Sequence, residues 1–380
     1  MSAPVYLDYN ATTPVAPEVA EIMRYCLTEA FGNPSSAYDR GRQAAALVRQ
    51  AREAVARLIG ARTDEIVFTG CATEANNLAL LGVARALRAD KRHLVVSAIE
   101  HPAVMEPARH LQREGWELTI VPVDGHGRVA PADVAAALRP GTALVSIMHA
   151  NNEIGTLQPI AEISAATRGK GVLLHADAAQ SVGKVPVDVD VLGVDLLTLA
   201  GHKFYATKGI GALYVRAGTP IENILFGAGQ ERGLRPGTEN VPAIAGLGAA
   251  ARLARQRLPE AGACLRRLRD ALHRRLQDAI PDLALNGHPV ERLPNTLHVS
   301  FPGVGGRELL QRASADVAAS VGSACHAEHD AVSGVLAALG LDAARAMGAV
   351  RLSTGWMMTM EEIERAADAL IAAWRQLARS

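Results

Sequence analysis

Two polar side chains that directly follow apolar runs carry the clearest chemistry in this chain. Lys203 ends the segment AGHK and is one of only five lysines, against 34 arginines. At a buried strand end a lysine can lose its proton and form a Schiff base, whereas on the surface it is an ordinary solvated cation. Asp177, in the segment HADAAQ, closes another apolar run. Its carboxylate could keep a pyridinium nitrogen protonated, or it could cap a turn.

A segment of small residues between an apolar run and a helical pattern predicts an anion site. This segment, TGCATEANN, places the hydroxyl of Thr73 at the start of a helix. Free amide groups and the helix dipole bind anions there, although the same pattern also makes a plain N-cap. His101 begins another helix in the segment IEHP. It could stack on an aromatic cofactor, move protons or have only a structural role.

The four cysteines are scattered and include no C-x-x-C pair, so we expect neither a zinc site nor a disulfide scaffold. Cys325 lies among small and polar residues in the segment SVGSACHA, which favours an accessible, reactive thiol. We expect the other three, Cys26, Cys71 and Cys264, to be buried and inert.

The composition of the 380 residues is that of a globular protein with balanced charge. Hydrophobic residues make up 49% and charged residues 21%, which excludes intrinsic disorder. Lys+Arg and Asp+Glu each number 39, and this balance argues against nucleic-acid binding through bulk charge. No apolar run reaches the roughly 18–20 residues that span a bilayer. Residues 1–8 lack the basic and apolar regions of a signal peptide, so we expect a cytoplasmic protein.

Short apolar runs separated by helical patterns predict the frame that positions these side chains. Seven runs are typical of strands: residues 65–69, 93–97, 118–121, 143–148, 172–176, 195–199 and 210–215. Such strands, alternating with helices, indicate an α/β fold with a mostly parallel seven-stranded sheet covered on both faces. Ligands of these sheets bind at the carboxyl ends of the strands, which is where Asp177 and Lys203 lie.

The rest of the chain predicts a second, smaller domain. A long helical stretch at 243–279 is expected to break near Pro259. Towards the C-terminus, strand and helix patterns then mix. We therefore predict a large domain at 15–255 and a smaller α+β domain formed by 1–14 and 256–380.

Eight motifs are spread from one end of the chain to the other. They are 6–14 (YLDYNATTP), 31–36 (FGNPSS), 149–155 (HANNEIG), 177–184 (DAAQSVGK), 201–203 (GHK), 235–240 (RPGTEN), 322–325 (GSAC) and 351–353 (RLS). In this order and spacing they resemble the cysteine desulfurases of the NifS/IscS type, which are fold-type I pyridoxal phosphate enzymes. The resemblance implies an enzyme that carries pyridoxal 5'-phosphate and converts L-cysteine into L-alanine. The sulfur would pass through an enzyme persulfide to an acceptor protein.

The resemblance also implies which residues hold the ring of the cofactor. Lys203 would attach it as a Schiff base, and Asp177 would pair with the pyridine nitrogen. Gln180 would contact the ring hydroxyl. His101 would stack on the ring as a further catalytic residue.

The phosphate end of the cofactor would be held by three residues. Thr73 and His202 would bind the phosphate from the same chain. Thr238, in a glycine-rich polar loop, would reach the phosphate of the other subunit, which implies a homodimer with shared active sites. Ala200 stands where the family usually has a serine that contacts the phosphate. One hydrogen bond is therefore expected to be missing, a loss on the order of 1 kcal/mol.

The substrate would be handled by three further residues. Arg351 follows an apolar pair of residues, and its forked guanidinium suits a carboxylate, although a surface ion pair is the ordinary alternative. The resemblance implies that Asn152 and Arg351 hold the carboxylate of the substrate. It also implies that Cys325 is the nucleophile that takes the sulfur.

Two further functions stay open. The segment 326–330 (HAEHD) departs from the common desulfurase form and resembles selenocysteine lyases and specialised bacterial desulfurases, including those that serve DNA phosphorothioation. A selenocysteine lyase would eliminate selenium from L-selenocysteine directly and need not use Cys325. A non-catalytic scaffold is the third possibility, but the presence of Lys203, Asp177 and Cys325 together argues against it. The acceptor could be an iron–sulfur scaffold, a tRNA-thiolation protein or a DNA-modification protein.

Overall fold

A seven-stranded sheet forms the centre of the computed structural model, which describes residues 3–322 and 333–379. Numbered in chain order, its strands are β2 (Ile66–Thr69), β3 (His93–Ser97), β4 (Glu117–Val121), β5 (Thr142–Ser146), β6 (Leu173–Asp177), β7 (Leu196–Ala200) and β8 (Gly211–Val215). Across the sheet their order is β2-β8-β7-β6-β5-β3-β4. Within this sheet β8 runs antiparallel to both of its neighbours, β2 and β7, and every other neighbouring pair is parallel. The predicted mostly parallel sheet is therefore confirmed.

Both faces of the sheet are buried because alternate residues of each strand enter different cores. In β3, Leu94 and Val96 belong to a core with α3 (Ala72–Leu87) and α4 (Pro102–Arg113). Val95, between them, points to the opposite core. That second core is covered by α1 (Pro17–Thr28), α2 (Asp39–Leu58) and the start of α8 (Val241–Ala279). This two-sided burial explains why the strands are continuous apolar runs.

The shorter helices fill the connections between the strands and the ends of the chain. They are α5 (Pro131–Ala137), α6 (Ile160–Thr167), α7 (Val189–Leu192), α9 (Gly306–Arg312), α10 (Gly334–Ala338), α11 (Ala343–Met347) and α12 (Met360–Leu377). In the described part of the chain, no helix is both long enough and apolar enough to cross a membrane.

Helix α8 is continuous through Pro259, so the predicted break there is wrong. A proline inside a helix removes one hydrogen bond and costs roughly 3 kcal/mol. Packing on both sides of it holds the helix together. The first part of α8 packs against α1 and α2, and Leu268 and Leu272 in the second part lie in a separate core.

Two small sheets form beside that separate core. β1 (Val5–Tyr6) runs parallel to β11 (Val317–Ala318). β10 (Thr296–Ser300) lies between β9 (Ala284–Leu285) and β12 (Ala349–Ser353) and is antiparallel to both. The N-terminal residues Val5, Leu7 and Tyr9 thus share a core with strands from the last quarter of the chain. The division at residues 14/15 and 255/256 stays a prediction.

Candidate active site

A cavity of about 280 Å³ lies at the carboxyl ends of the central strands. Eight of the ten predicted site residues line it: Thr73, His101, Asn152, Asp177, Gln180, His202, Lys203 and Arg351. Asp177 is the last residue of β6, and Lys203 follows β7 by one turn of 3-10 helix. Arg351 comes from β12, so the cavity is closed by the part of the chain outside the large sheet.

The amine of Lys203 is held by two carbonyl groups of the N-terminal segment. Its Nζ lies 2.7 Å from the carbonyl oxygen of Asn10 and 2.8 Å from that of Ala11. These acceptors fix the amine at the wall of the cavity. Sequence reasoning did not assign a role to Asn10, although the residue stands inside the motif YLDYNATTP.

The carboxylate of Asp177 is buried and oriented by two donors. Oδ2 accepts a hydrogen bond of 2.7 Å from Nδ2 of Asn76, and Oδ1 accepts one of 2.9 Å from the amide of Ala179. Asn76 is fully buried, and its Oδ1 has no partner among the described residues. Asn76 was missed from the sequence, yet it lies three positions after Thr73 and therefore on the same face of α3.

His101 caps α4 at the rim of the cavity. Its Nδ1 accepts a hydrogen bond of 3.0 Å from the amide of Ala103, so a neutral ring carries its proton on Nε2. Directly before it, the buried carboxyl of Glu100 accepts hydrogen bonds from the hydroxyl of Ser97 and the amide of Met148. Burial raises the pKa of Glu100 to about 8, so this group is mostly protonated at neutral pH.

The predicted phosphate end of the cavity is formed by the start of α3 and by His202. Thr73 is exposed in the first turn of α3, where amide groups have no partner within the helix. His202 Nδ1 lies 3.2 Å from the hydroxyl of Thr12. Burial, with smaller contributions from the charges of Lys203 and Lys208, lowers the pKa of His202 to about 4. Its ring is therefore neutral at pH 7 and offers one N–H donor to an anion.

Cys71 differs from the sequence prediction. It is exposed and lines the cavity, because it is the N-cap of α3 and its Sγ accepts a 3.5 Å hydrogen bond from the amide of Glu74. A capping residue stands at the open end of a helix and not within a core, so the expected burial is wrong here. Cys26 is buried as predicted, and Cys264 is half-buried.

Arg351 is almost fully buried, with 2% of its side chain exposed, and is held from two sides. Nη1 donates a 2.9 Å hydrogen bond to the carbonyl of Asn152, and Nη2 donates one of 2.7 Å to Oδ1 of Asp8. Asp8 carries the negative charge in this pair and was not predicted. The geometry fixes the guanidinium beside Asn152 on the cavity wall.

The two remaining predicted residues are Thr238 and Cys325. Thr238 is exposed, in the segment between the 3-10 helix Gln230–Gly233 and α8. Cys325 lies outside the described residues. The described chain ends at Gly322 and resumes at Ser333, and both residues lie near the buried Glu153. Glu153 accepts a 2.6 Å hydrogen bond from the hydroxyl of Ser333 and lies against Gly322. The two described ends are therefore held close to Glu153, the neighbour of Asn152.

Known proteins match this chain over nearly its whole length. Residues 5–366 match the family described as aminotransferase class-V. The chain is 45% identical over 371 residues to a cysteine desulfurase IscS from Dictyoglomus turgidum, covering 97% of this chain and 94% of that protein. The chain belongs to the cysteine desulfurases of the class-V aminotransferase family.

Solved structures of similar proteins agree with this assignment. A NifS-like protein has a TM-score of 0.91 at 38% identity, covering 97% of this chain and 98% of that one. A structure described as SspA in complex with cysteine has a TM-score of 0.81 at 37% identity, covering 92% and 98%. The predicted fold, family and cofactor are thereby confirmed: the protein is a pyridoxal phosphate-dependent cysteine desulfurase.

The polar groups of this desulfurase fit pyridoxal phosphate. An amine, Lys203, and a buried carboxylate, Asp177, face one cavity, as an aldehyde and a pyridine nitrogen on one ring require. The start of α3 offers free amide groups for a phosphate. The buried Oδ1 of Asn76 beside Asp177 is still without a partner in the described residues, which leaves a polar atom for a ligand.

Proposed function

We propose that this cysteine desulfurase carries out its reaction in the cavity around Lys203 and passes the sulfur of L-cysteine through Cys325 to an acceptor protein. The observation that carries the proposal is the meeting of Lys203, Asp177 and Arg351 on one cavity. An amine, a carboxylate and a guanidinium in this arrangement match the aldehyde, the ring nitrogen and the carboxylate of an amino-acid substrate bound to the cofactor.

The proposed mechanism assigns one task to each group. Pyridoxal phosphate, when bound, supplies an electron-withdrawing ring that makes loss of the Cα proton feasible. Asp177 keeps the ring nitrogen protonated, and Lys203 attaches the cofactor and lies where it can take and return a proton. Arg351 and Asn152 orient the substrate carboxylate. The solved complex of SspA with cysteine supports L-cysteine as the substrate.

Sulfur transfer is proposed to occur at Cys325. Its thiolate attacks the sulfur of the substrate, and a sulfur–sulfur bond forms while the carbon–sulfur bond breaks. The electron pair of the broken bond stays with the carbon skeleton, which takes up protons and leaves as L-alanine. Cys325 then holds the sulfur as a persulfide for the acceptor.

We also propose a cytoplasmic homodimer in which each subunit completes the other's site. Thr238 is exposed and lies away from the cavity of its own chain, which supports a role at the phosphate of a second copy. Large apolar side chains that are unusually exposed support a covered surface: Phe31 is 62% exposed and Phe226 is 84% exposed. Residues 15–255 would form the cofactor domain, and residues 1–14 and 256–380 the smaller domain that bears Cys325.

The test is the intact mass of the protein after brief exposure to L-cysteine, with reductant removed. Cys325→Ala is the matched control. Gain of one sulfur atom in the wild type alone, together with L-alanine, is the expected result. Alanine without a mass gain would contradict the persulfide step and favour direct elimination, as in a selenocysteine lyase. The absence of both the mass gain and alanine would contradict the proposed reaction in this cavity.

A further inference from the structure

A second lysine lies behind the cavity, where the mechanism above does not use it. Lys184 is buried, with 7% of its surface exposed, and stands four positions after Gln180. Its Nζ lies 2.9 Å from Oε1 of Gln180 and 3.1 Å from Oδ1 of Asn10. Within the described residues, no carboxylate is hydrogen-bonded to this amine. A buried lysine that contacts two amide oxygens is unusual, since buried lysines are normally paired with an acid.

The two contacts decide which way the amide of Gln180 faces. Nζ of Lys184 donates to Oε1 of Gln180, so the oxygen of this amide points to Lys184. The nitrogen of Gln180 then faces the other way and donates a 3.0 Å hydrogen bond to the carbonyl of Asn10. Its second N–H is left for the cavity that Gln180 lines.

The same lysine also fixes Asn10. Oδ1 of Asn10 accepts from Lys184 and, at 3.0 Å, from Nδ2 of Asn295, while Nδ2 of Asn10 donates to Oγ1 of Thr296 at 2.8 Å. The side chain of Asn10 is therefore anchored on several sides. Its carbonyl oxygen is the acceptor that Lys203 and Gln180 share. Lys184 thus contacts Gln180 directly and is linked to Lys203 through Asn10.

The surroundings of Lys184 disfavour its charged form. Burial, together with the nearby charges of Lys203 and Arg351, holds the pKa of Lys184 well below its usual range. In the structure its Nζ donates to both amide oxygens, those of Gln180 and Asn10.

We propose that Lys184 is a positioning residue that turns the amide nitrogen of Gln180 towards the ring of the cofactor and, through Asn10, holds the amine of Lys203 in place. The proposal rests on the roles proposed above for Gln180 and Lys203. It concerns the binding of the cofactor and not the later transfer of sulfur. Its failure can therefore be distinguished from a failure at Cys325.

The test compares Lys184→Met with the wild type by absorption spectrum and by the dissociation constant for pyridoxal phosphate. Methionine fills most of the space of the lysine side chain but has no donor, so Gln180 and Asn10 are left free to turn. We expect the absorption maximum of the loaded protein to move and the dissociation constant to rise at least about fivefold, as for the loss of one or two hydrogen bonds. Lys208→Met is the control, because it removes an exposed cation near His202 and touches neither amide.

A second comparison separates positioning from a merely structural role. If Lys184 acts partly through Gln180, Lys184→Met should change the spectrum and the affinity less in a Gln180→Ala background than in the wild type. Circular dichroism and thermal unfolding check the fold of each variant. If the methionine variant does not fold, Lys184→Gln retains one donor and should show a smaller change in the same direction. An unchanged spectrum and affinity, or full additivity with Gln180→Ala, would overturn the proposal.

Discussion

Asp8 and Arg351 stand 343 positions apart in the chain, and their side chains meet at 2.7 Å beside the cavity. Asp8 accepts from Nη2, and the carbonyl of Asn152 accepts from Nη1. Each of these nitrogens carries a second hydrogen, so the guanidinium is oriented without losing its capacity for a substrate carboxylate. The ion pair would therefore hold Arg351 ready for the substrate carboxylate that we propose it binds.

Replacing Asp8 by alanine should raise the KM for L-cysteine about tenfold, a loss of ~1.4 kcal/mol of binding, with a smaller change in kcat. The reason is that Nη2 of a nearly buried arginine loses its only acceptor in the described chain and the guanidinium turns away. Steady-state production of alanine measures both constants. Asp8→Asn keeps an oxygen acceptor, so its KM should lie between those of the wild type and the alanine variant. A KM for the alanine variant equal to that of the wild type would refute the positioning role.

Asp177→Asn should lower kcat/KM at least about 100-fold, because the ring nitrogen of the cofactor loses its anionic partner. The variant is expected to fold, since Asn76 can turn its amide and use its unpartnered Oδ1 to accept from the introduced amide group. Alanine production and thermal unfolding are measured together. Asn76→Ala is the control, which removes one hydrogen bond and leaves the charge, and it should cost tenfold or less. Activity of Asp177→Asn within a few-fold of the wild type would contradict the assignment.

Ala200→Ser should tighten the binding of pyridoxal phosphate about five- to tenfold, as expected for one added hydrogen bond that contributes about 1 kcal/mol or slightly more. Ala200 is buried and lines the cavity at the end of β7, so the new hydroxyl has the cavity to enter. Equilibrium titration of the cofactor into the protein gives the affinity. Pyridoxal without its phosphate is the matched control, and its affinity should not change. Equal gains for both ligands would place the hydroxyl elsewhere than at the phosphate.

Glu100→Gln should stabilise the protein at pH 8 by at least about 1 kcal/mol and have little effect at pH 5. The folded pKa of about 8 is above the ordinary value of 4.5, so the folded state binds this proton more tightly than the unfolded state. The stability that the protonated group contributes is full below pH 4.5 and is lost as the pH rises to about 8. Glutamine stays neutral and avoids this loss. Urea unfolding at several pH values measures the free energy of unfolding of the variant and the wild type. A difference between the two that does not depend on pH would refute the prediction.

Much of the sheet could be predicted because its strands are buried on both faces. The predicted strand at 93–97 agrees with β3, and the others agree with their strands within one or two residues. Asp177 and Lys203 could be placed at strand ends for the same reason, since only the edge of such a sheet is open to polar side chains.

Residues whose roles come from distant contacts could not be found in this way. Asp8 and Asn10 act through partners from the other end of the chain, and no local periodicity records such a pairing. Pro259 misled the prediction because local propensity counts the lost hydrogen bond but not the cores that hold both halves of α8.

Residues 5–10 are synthesised long before the partners that they require. β1 pairs with β11, Asp8 with Arg351, and the amide of Asn10 with the hydroxyl of Ser353. The central sheet is complete at Val215 and can fold much earlier during synthesis. A nascent or truncated chain that lacks β12 would therefore carry Lys203 and Asp177 on a finished sheet but have no arginine to receive a substrate. Translation itself thus delays a working active site until the residues of β12 have been made.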